Sequence, residues 1–362
     1  MNDGLGRPQA GMRNAIAQKL LIALALWFVF AALSGCDKSE PLTRQQAYVF
    51  GTLVEVSVFG VEQKQAEAAT SSVLARFDQL HHKLHAWLPS DLQTLNLAFA
   101  TPGKRANVDV ELAGILLDAQ GFSKQTDGLF NPAIGKLIRM WGFQSDTPVN
   151  KVPADALVAE QVRLKPGMDA IHVEGHQAWS ENPAAQLDLG GYAKGYALDE
   201  AAHMLRRQGI HNALLNIGGN VLALGRHGSK PWRVGIQHPR QPGVIATLDL
   251  TDGEAIGTSG DYQRYFESGG RRYCHMIDPR SGRPADGMQS VTIVVSGNRS
   301  GVRSDVLTKP LFIGGLPNLP QLAGQLGTPL VLAIDQTGQV WVSHDLLSRL
   351  KWTDPKQTFH AI

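Results

Sequence analysis

The segment SDVLTKPLF, residues 304–312, carries a carboxylate, a hydroxyl and an ammonium within five positions, at Asp305, Thr308 and Lys309. Carboxylate and hydroxyl oxygens are ligands that a hard cation such as Mg²⁺ prefers. Pro310 follows directly. A proline inside a helix loses an N–H bond and clashes with the preceding turn, so a helix is predicted to begin shortly before it. Asp305 and Thr308 would then cap free N–H groups, and the segment by itself favours a helix start over a metal site.

A second candidate site is DLGGYAKGYALDEAAHMLRRQG, residues 188–209. Its apolar residues repeat at helical spacing and Gly209 is typical of a helix end, so a helix is predicted to begin near Gly191. A Gly-Gly pair entering a helix exposes backbone N–H groups that suit a phosphate or a carboxylate. Lys194 could add a positive charge. Asp188 could accept a hydrogen bond from a ribose or from a base N–H, or it could lie near a metal. The alternative is a tight turn that packs the helix against a strand.

His275, Asp278 and Arg280 stand together in HMIDPRSGRP, residues 275–284, where a strand is predicted to run into a turn. They form either an ordinary hairpin loop or three polar groups that hold a ligand. No Ser or Cys elbow motif lies near His275, so a hydrolase triad is not supported. Zinc-type ligand spacing is absent from the sequence, whereas a Mg²⁺ bound by oxygens leaves little sequence trace.

Helical and strand patterns are mixed along the chain without regular βα alternation. The predicted elements are helices within 62–84, 111–124 and 191–208 and strands at 50–60, 210–217, 232–236, 245–250, 290–295 and 329–341. This order favours an α+β (mixed α/β) fold with antiparallel or mixed sheets and packed helices over a doubly wound sheet. No second linker is visible, so one domain is predicted to span 49–362.

Residues 1–35 are predicted to be a lipoprotein signal peptide. Basic residues precede an unbroken apolar stretch that ends in small residues directly before Cys36. This order suits a peptidase that cleaves ahead of a lipid-modified Cys36, and residues 36–48 then comprise the lipidated cysteine and a polar tether. An uncleaved membrane anchor is the alternative, which an apolar length of roughly 15 residues disfavours. Both interpretations export the domain.

Charge and cysteine content narrow the function classes. Residues 1–35 hold three basic residues and one acidic residue, which leaves 31 of each kind in the rest of the chain. A formal charge of zero provides no electrostatic footprint for nucleic acid. With Cys36 lipidated, Cys274 is alone and no intramolecular disulfide can form, so the fold must rest on packing.

Eight short motifs follow one another along most of the chain. They are FGT at 50–52, GLFNP at 128–132, WGF at 141–143, DLGGYAKGYALD at 188–199, NIGGN at 216–220, GTSGDYQRYF at 257–266, HMIDPRSGRP at 275–284 and SDVLTKPLF at 304–312. Together they resemble the FAD:protein FMN transferases, the ApbE-like flavin transferases. Each motif alone is weak, but eight in this order are specific.

The resemblance implies an enzyme that binds FAD and Mg²⁺, moves the FMN portion onto a threonine hydroxyl of an acceptor protein and releases AMP. It also implies a lipid-anchored enzyme on the periplasmic side of the cell inner membrane, with respiratory or electron-transfer membrane proteins as acceptors. Asp37, directly after the lipidated Cys36, agrees with retention there. Two other functions would use the same pocket: FAD binding without transfer, and a pyrophosphatase that splits FAD into FMN and AMP.

The resemblance also implies which residues contact FAD. Carried over position by position, they are Phe50, Trp87, Leu129, Phe130, Asn131, Asp188, Lys194 and the segment His275 to Ile277. Phe50 and Trp87 are suitable platforms for flavin or adenine rings, with ordinary core burial as the alternative. Asn131 stands where the family usually has Asp, so an acceptor-only contact is replaced by one that can also donate.

For the metal, the resemblance implies the Gly191 carbonyl and Asp305, together with a threonine hydroxyl. Lys309 stands at that threonine's position, and Thr308 lies one residue earlier. We hypothesise that the Lys309 ammonium replaces part of the metal's charge, so that the site either needs Mg²⁺ less or holds it through Asp305 and Thr308. The predicted catalytic residues are Asp305, Lys194 and His275, with the general base left open between His275 and a nearby carboxylate.

Overall fold

The computed structural model describes residues 41–145 and 150–362, so the predicted signal peptide, Cys36 and the start of the predicted tether lie outside the described residues. The strands of the described part are β1 Leu42–Val49, β2 Thr52–Phe59, β3 Ala106–Asn107, β4 Ile171–Glu174, β5 Gln177–Ser180, β6 Ala213–Ile217, β7 Asn220–Leu224, β8 Trp232–Gln237, β9 Val244–Leu250, β10 Ala255–Gly260, β11 Tyr265–Ser268, β12 Arg271–Cys274, β13 Ile277–Asp278, β14 Arg283–Pro284, β15 Met288–Val295, β16 Leu330–Asp335, β17 Val340–Val342, β18 Lys351–Trp352 and β19 His360–Ala361. Its helices are α1 Gln63–Lys83, α2 Asp91–Phe99, α3 Val110–Gln125, α4 Gly135–Met140, α5 Asp155–Arg163, α6 Ala193–Arg207, α7 Ser300–Val306, α8 Thr308–Gly314, α9 Leu319–Gln325 and α10 His344–Leu347.

A central sheet organises the described residues, with nine strands in the order β1-β2-β6-β7-β10-β15-β16-β17-β19. Successive strands pair antiparallel except β17 and β19, which pair parallel. The fold is therefore α+β with a mixed sheet, as predicted. Among the described helices, none has the length and apolar character needed to cross a membrane.

The two faces of this sheet are covered by different layers. Leu222 and Leu224 of β7 join the core formed with the helices, whereas Val221 and Ala223 join the core formed with the second sheet β18-β9-β8. Successive side chains of a strand point to opposite faces, so this alternation places the helices on one side and the small sheet on the other. β15 is buried along its whole length because it lies between both layers.

Most predicted elements are confirmed, and one predicted strand is divided. The segment 329–341 forms β16 and β17, connected by a turn in which Asp335 Oδ1 accepts the N–H groups of Thr337 at 2.8 Å and Gln339 at 3.0 Å. Gly338 takes a φ of 88°, which favours glycine. The DQTG sequence is therefore a hairpin turn inside the predicted strand.

The predicted tether is too long. Residues 42–48, assigned to it from their polar composition, belong to β1 and pair with β2 in register from Leu42↔Phe59 to Val49↔Thr52. β1 is the edge strand of the sheet, so most of its side chains are exposed or half-buried and it has no apolar face that would identify it. Described residues 41–362 form one compact unit, which begins before the predicted start at residue 49.

Helices α6 and α7 cross at two glycines and cap each other. A Cβ on Gly195 would lie 2.4 Å from the Gly301 carbonyl oxygen, so only glycine fits at this crossing. Asp199 of α6 accepts the N–H groups of Gly301 at 2.8 Å and Val302 at 2.9 Å in the first turn of α7. In return, Asp305 Oδ2 accepts the N–H of Gly195 at 3.0 Å. Each helix start is thus satisfied by a carboxylate of the other helix.

The predicted helix start before Pro310 is therefore only partly right. α7 begins at Ser300 and the chain leaves the helix at Leu307 before α8 starts at Thr308, with Pro310 in its first turn. Pro310 has no N–H to bond the carbonyl four residues earlier, which explains the interruption. Asp305 lies near the end of α7 and caps α6 rather than its own helix.

We expect Gly195→Ala to lower the free energy of unfolding by about 3 kcal/mol, because the new methyl group would meet backbone atoms that cannot move aside cheaply. Urea denaturation of the purified protein measures this change. Gly121→Ala in α3 is the matched control, since it lies on an exposed helix face with no atom within 4 Å of the added Cβ. It should stabilise the protein by about 0.5–1 kcal/mol. Equal stability of the two variants would contradict the crossing described here.

Candidate functional site

A cavity of about 780 Å³ lies beside the β1–β2 turn, the loop before α6 and the start of α8. This size is in the range of sites for small molecules and cofactors. The predicted site residues that line it are Phe50, Trp87, Leu129, Phe130, Asn131, Asp188, Gly191, Lys194, His275, Ile277 and Lys309. Asp305 and Thr308 are not among its lining residues. The fold therefore brings together residues spread over most of the chain.

Phe50 is held in an unusual backbone conformation at the cavity. It forms the two-residue β1–β2 turn with Gly51, and both residues have positive φ, 56° and 69°. A hairpin turn of this kind favours Asn or Gly at its first position, and a bulky residue there costs roughly 1 kcal/mol or more. The Phe50 ring lies edge-on to His81, with 5.7 Å between the ring centroids. The strained turn places the Phe50 ring at the cavity wall. An aromatic surface at this position is what the predicted contact with FAD requires.

Trp87 forms another part of the aromatic wall. Its side chain is half-buried, and the Arg139 guanidinium lies 5.0 Å from the ring centroid. The backbone N–H groups of Trp87 and Leu88 both donate to Nδ1 of His85, at 3.1 and 3.0 Å. The turn that presents Trp87 is therefore fixed by a histidine side chain that also lines the cavity.

Asn131 uses both halves of its amide on the backbone. Its Nδ2 donates to the Pro166 carbonyl at 2.9 Å, and its Oδ1 accepts the N–H of Ala133 at 3.0 Å. An aspartate could make only the second contact and would place its carboxylate against the Pro166 oxygen. Both halves of the amide thus hold the turn that shapes the cavity wall, and the predicted contact with FAD stays a prediction.

His275 lies in the cavity wall as a neutral base. Its Nδ1 lies 3.1 Å from the Arg264 carbonyl oxygen, which only accepts, so Nδ1 carries the proton and Nε2 is left as the acceptor. Burial lowers the pKa of His275 to about 3, with further lowering by Arg264, Lys194 and Lys309. The imidazole is therefore uncharged at neutral pH and surrounded by cations.

The remaining members of the predicted 275–284 cluster act elsewhere. Arg280 donates to the carboxylate of Asp278, at distances of 2.8 to 3.2 Å, and its backbone N–H bonds the same group. This pair closes the turn between β13 and β14, and neither residue lines the cavity. The ordinary hairpin interpretation is confirmed for Asp278 and Arg280.

The loop before α6 places one carboxylate and one ammonium at the cavity. Asp188 Oδ1 accepts the N–H of Gly190 at 2.7 Å, which forms a tight side-chain turn. Burial raises the pKa of Asp188, while Gly190 and Arg264 act in the opposite direction. Lys194 follows in the first turn of α6. The loop thus has the tight turn expected of a Gly-Gly pair and also presents polar groups to the cavity.

The predicted metal residues do converge, and the Lys309 side chain contacts both Asp305 and Gly191. Lys309 Nζ donates to the Asp305 carbonyl at 2.6 Å and forms an ion pair with the Asp305 carboxylate. A Cβ on Gly191 would lie 3.0 Å from Lys309 Cε, so the side chain lies against the Gly191 backbone. Burial alone would raise the pKa of Asp305, yet Lys309 and Lys194 outweigh it and hold that pKa below its usual range.

Thr308 is buried and does not line the cavity. Its Oγ1 donates to the Asp305 carbonyl at 2.7 Å and lies 2.8 Å from Oγ of Ser259, and the residue is 1% exposed. Both Asp305 carboxylate oxygens also have partners, Gly195 N–H and Lys309. Within residues 41–145 and 150–362, no group of three or more His, Cys, Asp or Glu side chains is arranged to hold a metal. The donors as placed do not fit a divalent cation, which prefers several free oxygens.

Sequence reasoning missed Arg264 and Gln144, which also line the cavity. Arg264 Nη2 donates to the carbonyls of Phe143 and Ser145, each at 2.7 Å, but its Nε is buried without a partner in the described structure, and so is Gln144 Oε1. Buried polar atoms without partners are rare, and a polar ligand or an ordered water would satisfy these two. A signal was present, because Arg264 lies within GTSGDYQRYF and Gln144 follows WGF directly.

Comparisons with known proteins agree with this architecture. The model of the ApbE family matches residues 50–332. An FAD:protein FMN transferase of Rhodobacter capsulatus is 42% identical over 346 residues, which cover 96% of this chain and 65% of that protein. One from Klebsiella pneumoniae is 31% identical over 322 residues, 84% of this chain and 89% of that protein. The crystal structure of an ApbE protein from Thermotoga maritima has a TM-score of 0.77 and 28% identity, covering 85% of this chain and 99% of that one. This chain belongs to the ApbE family.

Proposed function

We propose that this protein is an FAD:protein FMN transferase. The observation that carries the proposal is the arrangement around His275: a neutral imidazole among Lys194, Lys309 and Arg264, in a cavity that also has aromatic walls. The cations suit a diphosphate, the aromatic rings suit a flavin and an adenine, and the imidazole suits a hydroxyl that must lose its proton. The relatives that carry this name support transfer over FAD binding alone or FAD hydrolysis.

The reaction exchanges one phosphorus–oxygen bond for another. The acceptor threonine oxygen forms a bond to the phosphorus of the FMN half, and the bond from that phosphorus to the bridging oxygen breaks. The bridging electron pair leaves with AMP, and the hydroxyl proton passes to a base. Such a transfer depends on in-line positioning and on neutralisation of the diphosphate charge.

The residues at the cavity divide these tasks. Lys194 and Lys309 lie where they can neutralise the diphosphate. Nε2 of His275 can accept the hydrogen bond of the incoming hydroxyl, and it takes the proton once the bound diphosphate offsets the cations that lower its pKa. Asp305 lies behind Lys309 and positions its ammonium, so its predicted catalytic role becomes a positioning role. Asp188 holds the loop that carries the Gly-Gly pair.

The predicted Mg²⁺ stays a prediction. The described residues provide it no preformed site, because the Asp305 carboxylate is paired with Lys309 and the Thr308 hydroxyl donates to the Asp305 carbonyl. No step of the proposed reaction is therefore assigned to a metal.

We place the enzyme on the periplasmic side of the inner membrane, anchored through lipid on Cys36. Support comes from the basic, apolar and small-residue order of residues 1–36. The acceptor is then a protein with a threonine exposed on the same side, with membrane electron-transfer proteins as the candidates. Metabolic labelling with a radioactive fatty acid tests the anchor, and Cys36→Ser should abolish the label.

One incubation tests the proposed activity against both alternatives. Purified protein is mixed with FAD and a flavin-acceptor domain, with and without MgCl₂, and the products are examined on a denaturing gel and by chromatography. Fluorescence on the acceptor together with AMP is the expected result. Free FMN with AMP and an unlabelled acceptor would establish a pyrophosphatase, and unchanged FAD would establish a binding protein.

A further inference from the structure

We propose that Lys309 supplies, from within the chain, the positive charge that a divalent cation would otherwise bring to the FAD diphosphate, so that FAD binding here does not require metal. The inference rests on the proposed function only in taking FAD as the ligand. It decides between the two possibilities that the sequence leaves open at this position. Four features of the structure carry it.

First, each oxygen of the Asp305 carboxylate already has a partner. Its Oδ2 accepts the Gly195 N–H that begins α6, and its Oδ1 is paired with the Lys309 ammonium. Asp305 is 2% exposed, and a buried carboxylate of this kind needs a compensating charge. Lys309 is that compensation. A metal at Asp305 would therefore compete with the ammonium for Oδ1.

Second, the threonine of this chain cannot take the place of the missing ligand. Thr308 donates its hydroxyl to the backbone of its own turn and shares a contact with Ser259 on β10. Turning it toward the cavity would break both contacts in a position that is 1% exposed. A metal held through Asp305 and Thr308 therefore disagrees with the packing.

Third, the Lys309 side chain has little room to leave. Its Cε lies against the Gly191 backbone, and its side chain is 14% exposed. The Lys309 side chain thus packs directly against Gly191, the glycine whose carbonyl the resemblance assigns to the metal. Gly191 leaves room for the aliphatic part of Lys309 because it has no Cβ; a Cβ there would lie only 3.0 Å from Lys309 Cε.

Fourth, the ammonium keeps a donor for a ligand. An ammonium has three N–H groups, and in the described structure two acceptors of Asp305 engage Lys309, its carbonyl and its carboxylate. Lys309 lines the cavity, so the third N–H is available to a phosphate oxygen. Lys194 also lines the cavity, so two ammonium groups face the same ligand.

The test measures the affinity of the full-length protein for FAD. Flavin fluorescence polarisation reports the binding, once in EDTA and once in excess MgCl₂. The wild-type protein should bind equally in both. Lys309→Thr, which restores a hydroxyl four residues after Asp305, should bind about tenfold or more weakly in EDTA and recover with MgCl₂. Lys309→Met, which has neither charge nor metal ligand, should bind weakly under both conditions. Wild-type binding that is lost in EDTA and regained only with MgCl₂ overturns the proposal, and so does wild-type affinity in Lys309→Met.

A second measurement does not involve FAD. The melting temperature of the wild-type protein should not respond to MgCl₂, whereas that of Lys309→Thr should rise, because Mg²⁺ replaces the lost partner of Asp305. A magnesium-dependent rise in the wild-type protein would contradict the proposal even if Lys309→Thr does not fold in EDTA. Failure of the proposed function is distinguishable: a protein that binds FAD without metal but labels no acceptor refutes transfer and leaves the role of Lys309 intact.

Discussion

Replacing His275 with glutamine is expected to lower the rate of flavin transfer by about 10²–10⁴-fold, because the variant has no basic nitrogen to accept the hydroxyl proton. Glutamine is close to histidine in length and is uncharged like the buried imidazole, so the cavity wall should be preserved. FAD affinity should change far less than the rate. The measurement is the initial rate of covalent flavin appearing on an acceptor domain at saturating FAD, together with a binding titration.

The control for this variant is His176→Gln, at an exposed position outside the cavity wall. It should transfer flavin at the wild-type rate. A wild-type rate in His275→Gln would show that His275 is not the base, and Asp188 would then be the candidate base. A variant that loses FAD binding and transfer to the same extent would assign His275 to binding alone.

The second large effect concerns acid stability. Burial, aided by Arg264 and Lys194, lowers the pKa of His275 from 6.5 to about 3. Above pH 6.5 the imidazole is neutral in both the folded and the unfolded protein, so it does not change the free energy of unfolding with pH. As the pH falls below 6.5, the unfolded chain takes up a proton that the folded protein refuses, and stability is lost until the folded-state pKa is reached. The loss attributable to this group is up to about 5 kcal/mol.

Urea denaturation at successively lower pH measures this loss. The free energy of unfolding of the wild-type protein should fall more steeply with acid than that of His275→Gln, and the two curves should run parallel above pH 6.5. His176→Gln should follow the wild-type curve. Parallel wild-type and His275→Gln curves throughout the acid range would show that His275 is not held neutral by its surroundings.

The secondary structure was predictable wherever one face of an element is apolar. α1, α3 and β15 have the periodicity or the apolar run that their burial requires, and each lies where the sequence places it. β1 and the β16–β17 turn were not predictable from periodicity. β1 is an edge strand held mainly by its partner, and the turn depends on a side chain, Asp335, bonding the backbone two and four residues later.

The site residues were predictable as a set and not in their roles. The ordered motifs identified most of the residues that line the cavity, although these residues come from distant parts of the chain. Arg264 and Gln144 lay in or beside the same motifs, but nothing in their types shows that one polar atom of each would be buried without a partner. Such a property depends on what packs around a side chain.

By itself, the sequence determined the family motifs, the mixed α+β class and the presence of Asp305, Thr308 and Lys309 in one short segment. Only the tertiary structure decided what those three residues do. Asp305 caps α6, Thr308 is buried against Ser259 and the Asp305 carbonyl, and Lys309 pairs with Asp305 beside Gly191. The physical reason is that the two helices meet at Gly195 and Gly301, a crossing so close that the carboxylate reaches another helix and the lysine must compensate it.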